Sequence, residues 1–210
     1  MILETFASGP LETNTYILGC PHTRKACVID APLGCLAGVI KALKKHQLTL
    51  VKILLTHSHL DHIADASSLK KEFNVPLFIH SLDAENLSTP GKDGIPLFLP
   101  VKGIEPDGFL EEGEIVYVGD LEIQVLCTPG HTPGGVCFYL PKEEVLFSGD
   151  TLFQGSMGRI DFPQSDPSNM WKSLKKLSFL PSQTKVFPGH GPSTTIGTEN
   201  WIKTAEKRFG

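Results

Sequence analysis

Short apolar runs alternate with amphipathic segments along most of the chain. The spacing of Leu36, Ile40 and Leu43 predicts a helix that ends near Lys44 and Lys45, because these apolar residues recur on one helical face. Similar spacing predicts helices over 61–73, 168–177 and 198–208. The β-type runs predict strands at 2–6, 15–18, 26–30, 51–56, 77–80 and 184–187, and hairpins that pair 115–118 with 121–126 and 135–140 with 145–148.

The order of these elements predicts the fold class. Strands alternate with helices in the first part of the chain, then hairpins follow, then a helix, a strand and a final helix. Mixed sheets covered by helices are the natural result, so we expect an α/β layered sandwich. Residues 88–108 are rich in Pro and Gly and predict a long surface loop. A chain of 210 residues is expected to form one domain, 1–210.

Composition and charge exclude several classes of protein. Hydrophobic residues make up 40% and charged residues 20%, which is a globular balance. A formal net charge of −4 argues against sequence-independent nucleic-acid binding. No apolar run is long enough to span a membrane, and the first residues do not resemble a secretion signal. The five cysteines are irregularly spaced, which predicts a reducing compartment and a cytoplasmic protein.

The densest cluster of polar residues directly follows the predicted strand 51–56. It is the heptapeptide Thr56-His57-Ser58-His59-Leu60-Asp61-His62. On an extended segment His57 and His59 point to the same side, and Asp61 and His62 then open a helix. Convergent imidazoles and a carboxylate suit Zn²⁺ and similar ions. By chance HxHxDH would occur on the order of once in two thousand such chains, so the segment predicts a metal site.

Three further apolar strands each end at a tight turn that carries a His or an Asp. These residues are His131, Asp150 and His190, and strand ends are where active-site residues are usually placed. With the first cluster they make a set of seven: His57, His59, Asp61, His62, His131, Asp150 and His190. Seven ligands are too many for one tetrahedral ion, and they suit two ions that share a carboxylate.

These motifs resemble those of the metallo-β-lactamase superfamily. They are HxHxDH at 57–62, PGHT at 129–132, GDT at 149–151 and PGHG at 188–191. Within the superfamily, GDTLF at 149–153 and the following Gly158-Arg159 resemble the glyoxalase II (hydroxyacylglutathione hydrolase) branch. The resemblance covers nearly the whole chain. It implies a four-layer αβ/βα sandwich with the metals at one edge, between the two sheets.

The resemblance also implies roles for the seven residues. His57, His59 and His131 would hold one metal, Asp61, His62 and His190 would hold the second, and Asp150 would bridge the two, as would a water or hydroxide. Zn²⁺ is the expected ion, with iron and manganese as alternatives, since His/Asp sites accept all three. The implied activity is hydrolysis of a small-molecule thioester such as S-D-lactoylglutathione to a hydroxy acid and a free thiol. The bridging hydroxide would attack, and Asp61 and Asp150 count as catalytic.

Substrate recognition rests on fewer residues. Arg159 matches a basic position that contacts glutathione in glyoxalase II enzymes. The aromatic residue expected two positions later is Asp161, and the Glu-Tyr pair expected after the last metal ligand is Gly191-Pro192. The 20 residues after His190 leave no room for the helical domain of the long forms. The chain therefore resembles the short one-domain forms, with a glutathione conjugate or an altered thioester as substrate and an oligomeric state that the sequence leaves open.

Asp30 ends the predicted strand 26–30 and matches an Asp position common in the superfamily. It is expected to orient a group of the metal site without binding the metal. The alternative is a polar cap at a strand end.

Two other activities share these motifs. A mononuclear-iron persulfide dioxygenase would use His57, His131 and Asp150, and that branch shares the Gly-Arg-x-Asp-Phe pattern found at 158–162. The metal content would distinguish the two activities, since the dioxygenase would hold one iron per chain and the hydrolase two zinc ions. An RNA phosphodiesterase is disfavoured, because the net charge is negative and the lysine pairs fall late in predicted helices.

Overall fold

Two six-stranded sheets form the centre of the computed structural model, which describes residues 1–210. The N-terminal sheet has its strands in sequence order: β1 (Ile2–Ser8), β2 (Thr13–Gly19), β3 (Lys25–Ile29), β4 (Thr49–Leu54), β5 (Leu77–Ile79) and β6 (Gly108–Phe109). The pairs β1–β2 and β2–β3 are antiparallel, whereas β3 to β6 run parallel. The sheet is therefore mixed.

The C-terminal sheet has the order β12-β11-β10-β9-β8-β7. Its strands are β7 (Ile115–Val118), β8 (Leu121–Cys127), β9 (Val136–Leu140), β10 (Val145–Gly149), β11 (Lys185–Pro188) and β12 (Thr194–Thr195). The two predicted hairpins are present as β7–β8 and β9–β10, and β10 pairs with β11 in parallel. Alternation along β7 buries Val116 and Val118 and exposes Ile115 and Tyr117, as a half-buried strand requires.

Helices cover the outer face of each sheet. They are α1 (Cys35–His46), α2 (Leu60–Ile63), α3 (Ala66–Phe73), α4 (Ala84–Ser88), α5 (Pro167–Leu177) and α6 (Ala205–Phe209), with 3-10 turns at Ser81–Asp83 and Asn200–Thr204. α1 ends where Gln47 adopts a left-handed conformation and its N–H bonds back to the Leu43 carbonyl. None of the helices combines the length and the apolar composition that a membrane crossing requires.

Three apolar clusters hold the layers together. Val28 on β3 packs with Val39 of α1 in the outer N-terminal cluster. The next residue, Ile29, points the opposite way and meets Phe147 between the sheets. On the far side, Leu174 of α5 packs against the C-terminal sheet. The order helices, sheet, sheet, helices confirms the predicted α/β sandwich.

Two predicted helices are wrong in part. The segment 61–73 contains two helices, because the Asp65 N–H donates to the Ala31 carbonyl and its side chain accepts from the Gly34 N–H. These hydrogen bonds hold the junction between α2 and α3 against the loop after β3. The segment 198–208 is a 3-10 turn followed by the short α6. The loop predicted at 88–108 is present between α4 and β6, but α4 and β12 were not predicted.

Candidate metal centre

The seven predicted metal-site residues follow strands of both sheets. β4 leads into the turn that carries His57 and His59, and α2 then carries Asp61 and His62. In the C-terminal sheet the remaining three follow β8, β10 and β11: His131, Asp150 and His190. Thr13 on β2 forms an isolated antiparallel bridge with His190, so the two sheets meet at this edge.

Two glycines allow the strand ends to approach closely. Gly149 has φ +48°, and a Cβ there would lie 2.7 Å from the Thr56 side chain. A Cβ on Gly189 would lie 2.1 Å from Asp150 Oδ1 and 2.7 Å from the His62 ring. A larger residue at either position would displace the groups of the site, which is the physical reason for glycine in both motifs.

The potential ligand atoms form three overlapping groups, each with its atoms within 4.8 Å of one another. The groups are His57, His59 and His131; His57, His62 and Asp150; and Asp61, His62 and His190. His59 Nδ1 lies 2.8 Å from His131 Nε2, and His62 Nε2 lies 3.4 Å from His190 Nε2. The structure thus brings all seven predicted residues together, and their role as metal ligands remains a proposal.

Asp150 lies between the two outer groups. Its Oδ2 is 3.4 Å from His131 Nε2 and 3.6 Å from His190 Nε2, and its Oδ1 is 3.3 Å from His62 Nε2. One carboxylate therefore faces both groups, which is the geometry that a bridging ligand needs.

Contacts outside the cluster fix the orientation of the histidine rings. His131 Nδ1 donates to the Arg159 carbonyl at 2.7 Å, and His190 Nδ1 donates to the Leu11 carbonyl at 3.0 Å. His57 Nδ1 donates to Thr56 Oγ1 at 3.0 Å. Each of these rings then presents Nε2 to the centre, because the outer nitrogen carries the proton.

Asp30 supports two parts of this arrangement at once. It is buried, its Oδ2 accepts from His62 Nδ1 at 2.8 Å, and its Oδ1 accepts from the Thr56 N–H at 2.8 Å. Thr56 Oγ1 also donates to Oδ2. Asp30 therefore holds both the His62 ring and the turn that carries His57, which fits the orienting role predicted from the sequence and goes beyond a strand-end cap.

The electrostatics of the cluster favour neutral imidazoles on one side and charged carboxylates on the other. Burial and the neighbouring His62 hold the pKa of His57 well below its usual value, and burial together with His131 lowers the pKa of His59 to about 3. Burial opposes ionisation of Asp150, but His62 outweighs it and lowers the Asp150 pKa to about 2. At neutral pH His57 and His59 thus offer free nitrogen lone pairs and Asp150 offers carboxylate oxygens. Burial opposes a charge on His62 and His190, but the neighbouring carboxylates outweigh it and raise the pKa of both rings.

Two buried atoms of the cluster have no hydrogen-bond partner within the protein. They are His57 Nε2 and Asp150 Oδ1. Leaving a buried polar atom unpaired costs about 1–3 kcal/mol, so such atoms are rare without a functional reason. Because both atoms point into a cluster of other nitrogen and oxygen donors, the residues present fit divalent metal ions.

A cleft of about 360 Å³ opens above the cluster. His59, Asp61, His131, Asp150 and His190 reach its base. Its sides are mostly apolar and are supplied by Leu11, Ile95, Phe98, Phe153, Met157 and Phe162. A volume and composition of this kind are typical of small-molecule sites.

Arg159, the predicted substrate contact, lies in the wall of this cleft. Its guanidinium donates to both carboxylate oxygens of Asp161, at 2.8 Å each, and lies 4.3 Å from the centre of the Phe162 ring. The structure thus places Arg159 at the cleft, as predicted, but its guanidinium is already paired with the Asp161 carboxylate.

Asn86 was not predicted, although it organises the surroundings of the site. Its Nδ2 donates to the Ser58 carbonyl and to Asp93 Oδ2, and its Oδ1 accepts from the N–H groups of Gly91 and Asp93. It thereby ties the turn between His57 and His59 to the loop after α4. No sequence signal marks this residue, because its main partner lies 28 positions away.

Comparisons with known proteins agree with this geometry. The chain matches the metallo-β-lactamase superfamily over residues 8–190. An uncharacterised protein of Aquifex aeolicus is 37% identical over 95% of this chain and 94% of the relative. The probable metallo-hydrolase YqgX of Bacillus subtilis is 34% identical over 91% of this chain and 90% of its own. Hydroxyacylglutathione hydrolase GloC of Haemophilus influenzae is 36% identical over 84% of both chains.

Solved structures show the same similarity. The BLEG-1 B3 metallo-β-lactamase superposes with a TM-score of 0.87 at 36% identity, over 94% of this chain and 96% of the other. TTHA1623 in a di-iron-bound form has a TM-score of 0.79 at 36% identity, with the same coverage. The fold is therefore shared with these proteins over nearly the whole chain.

Proposed function

The chain belongs to the metallo-β-lactamase superfamily, in its glyoxalase II-like branch, and we propose that it is a metal-dependent hydrolase of thioesters, the class that includes S-D-lactoylglutathione. The products would be a hydroxy acid or other carboxylic acid and a free thiol. The observation that carries the proposal is the convergence of five His and two Asp on one cluster at the base of an apolar cleft.

The residues of the cluster divide into two sets of three with Asp150 between them. His57, His59 and His131 would hold one ion, and Asp61, His62 and His190 would hold the other. Bound divalent ions would polarise the thioester carbonyl and lower the pKa of a bound water towards neutrality. Zn²⁺ fits this donor set, and iron and manganese fit it as well.

The protein's own groups prepare the site for this chemistry. Asp30 fixes the His62 ring, and Thr13 Oγ1 donates to Asp61 Oδ2 at 2.7 Å, so that both residues are oriented before a ligand arrives. The apolar walls reduce the water around the reacting carbonyl. The departing thiolate needs no strong acid, because the pKa of a thiol is only about 8.5.

Replacement of one central histidine tests this proposal. In His59→Ala we expect thioester turnover to fall by more than about 100-fold, since loss of a ligand should exceed the 10- to 100-fold effect of losing a group that only supports one. Metal content per chain, measured by elemental analysis, should fall with it. His22→Ala is the matched control, because His22 is exposed and pairs with Asp120 away from the cleft. Undiminished turnover in His59→Ala would falsify the metal-dependent mechanism.

The mononuclear-iron dioxygenase is the competing activity. It would use His57, His131 and Asp150 and would give no role to the group of Asp61, His62 and His190, whose ligand atoms also lie within 4.8 Å of one another. That complete second group favours the hydrolase. Two metal ions per chain without oxygen uptake would support hydrolysis, and one iron per chain with oxygen uptake would support the dioxygenase. The cytoplasmic location stays a prediction from the cysteine pattern.

A further inference from the structure

The walls of the cleft expose apolar surface next to the candidate metal centre. Phe98 is 60% exposed and Leu11 is 45% exposed, and both line the cleft together with Phe153 and Phe162. These side chains come from distant segments that meet only here. Apolar surface concentrated in one cleft is typical of a binding site for an apolar group.

The only Lys or Arg among the residues that line the cleft is Arg159. Its Nε and Nη2 groups both donate to the carboxylate of Asp161. The plane of the guanidinium also lies over the Phe162 ring. Asp161 also places a negative charge beside the only guanidinium that a substrate carboxylate could use.

The energy of recruiting Arg159 decides whether it can select an anionic substrate. A substrate carboxylate would have to replace the Asp161 carboxylate, and an exposed pair of this kind is only weakly stabilising in water. Exchanging one carboxylate for another therefore gains close to nothing. Moving the guanidinium would also weaken its favourable contact with the Phe162 ring.

We propose that the substrate of this site is an uncharged, apolar thioester whose non-reacting group packs against Phe98, Phe153 and Phe162, and that the carboxylates of a glutathione conjugate are not recognised. This inference rests on the proposed thioester hydrolysis and names its substrate class. In the reaction, water adds its hydroxyl to the acyl carbon, the carbon–sulfur bond breaks, and the sulfur leaves with the electron pair and takes up a proton.

A set of four thioesters tests the inference. Lactoyl and phenylacetyl groups are each joined to glutathione, which carries carboxylates, and to N-acetylcysteamine, which is uncharged. We expect kcat/KM to rise at least about tenfold from the lactoyl to the phenylacetyl thioesters. Burying even one or two additional methylene groups of a substrate can have an effect of this size, and the phenyl ring is larger. We expect less than a twofold gain from glutathione over N-acetylcysteamine. A tenfold preference for the glutathione thioesters would overturn the inference.

Two variants separate the apolar wall from the paired charge. Phe98→Ala should lower the phenylacetyl-to-lactoyl ratio of kcat/KM several-fold, whereas Phe179→Ala, at a ring that is 79% exposed and outside the cleft, should not. Asp161→Asn should raise the glutathione-to-N-acetylcysteamine ratio by about three- to fivefold, because it frees Arg159 for a substrate carboxylate. An unchanged ratio in Asp161→Asn would contradict the role given to the ion pair.

Binding gives a readout that does not depend on turnover. The S-phenethyl thioethers of glutathione and of N-acetylcysteamine cannot be hydrolysed, and calorimetry should give dissociation constants within twofold of each other. If the metal-loaded enzyme hydrolyses none of the four thioesters, the proposed function fails. If it hydrolyses them with glutathione preferred, only the inference about the substrate class fails.

Discussion

The floor of the cleft and its rim are held in place by different forces. We use the word floor for the cluster of seven candidate metal ligands, five of which line the cleft. They sit at strand ends and on α2 and are joined by hydrogen bonds to Asp30, Thr13 and backbone carbonyls. The rim is the six apolar side chains of the cleft wall, and they project from loops or from the residues just after strands. The floor is therefore rigid and polar, whereas the rim is apolar and partly exposed.

This difference separates chemistry from selectivity. Moving a floor residue disturbs several hydrogen bonds and a buried charge, so few changes are tolerated. Changing a rim residue alters the shape of an open surface at little cost to the fold. One scaffold can therefore keep its reaction while its substrate changes, which is why the reaction and the substrate are argued from different residues.

The largest effect is expected from Asp150, which lies between the two outer groups of candidate ligands. In Asp150→Asn we expect thioester turnover to fall by more than about 100-fold, because one oxygen of the proposed bridging carboxylate becomes an NH₂ group that cannot bind a cation. Metal content per chain should fall as well. Asp120→Asn, at an exposed turn, is the control and should keep both. Retention of two metals and full turnover in Asp150→Asn would show that the floor does not depend on this bridge.

A smaller effect is expected from the support behind the floor. In Asp30→Asn, either orientation of the amide places an NH₂ group against an N–H donor, of Thr56 or of His62. The backbone should tolerate the change, because Asp30 has φ +60° and Asn accepts that conformation. Metal affinity, measured by competition with a chelator, should fall about 10- to 100-fold. An affinity within twofold of the original would mean that the ring of His62 is positioned by other contacts.

The link between floor and rim gives the third test. Asn86→Ala removes the hydrogen bonds through which Asn86 joins Ser58 to the loop after α4, and leaves the N–H groups of Gly91 and Asp93 without this acceptor. We expect the free energy of unfolding to fall by about 1–3 kcal/mol. Hydrogen exchange of residues 91–98 should also become faster.

Denaturant unfolding and exchange together separate the two possible roles of Asn86. Asn200→Ala, at an exposed residue, is the matched control and should change neither quantity. If Asn86→Ala speeds hydrogen exchange equally across the whole chain, Asn86 stabilises the fold in general. It would then have no particular role in joining the turn at Ser58 to the loop after α4.

The floor was largely predictable from the sequence, and the rim was not. Each stretch of the floor is a short local motif after an apolar strand, such as His57 to His62 after β4, and both the strand and the motif can be recognised locally. Their common position after apolar strands predicted that these stretches form one site, and the family resemblance added that the site lies between two sheets. Their joint position is now seen in the structure, whereas their role as ligands stays a prediction.

The rim and its supports depend on contacts between distant segments. Leu11, Phe98 and Phe153 have no common pattern in the sequence, and only the fold brings them to one cleft. The break between α2 and α3 escaped prediction for the same reason, because its cause is the contact of Asp65 with Ala31 and Gly34. Helical periodicity in a sequence indicates which face of a helix is buried. It does not indicate that a backbone N–H of the segment, here that of Asp65, donates to a carbonyl of another element.

The smallest predicted effect concerns the far end of the rim loop, where Asp107 precedes β6. Partial burial works against its charge, but the Lys70 ammonium at 2.7 Å and the Leu77 N–H outweigh it and hold the Asp107 pKa below its usual value. Because the folded-state pKa is lowered, the pair stabilises the protein above the unfolded-state pKa, near 3.9, and this contribution is lost as the pH falls below it.

The pair is partly exposed, so Asp107→Asn should cost at most about 1 kcal/mol of unfolding free energy at pH 7. The difference between the variant and the original protein should shrink as the pH falls below the unfolded-state pKa and should vanish below the folded-state pKa, where the carboxylate is protonated in both states. Urea unfolding of both proteins from pH 7 to pH 3 measures it. A difference that persists unchanged at pH 3 would mean that the shape of the Asp107 side chain, and not its charge, holds the rim loop at this end. The loop would then be held by uncharged hydrogen bonds at both ends.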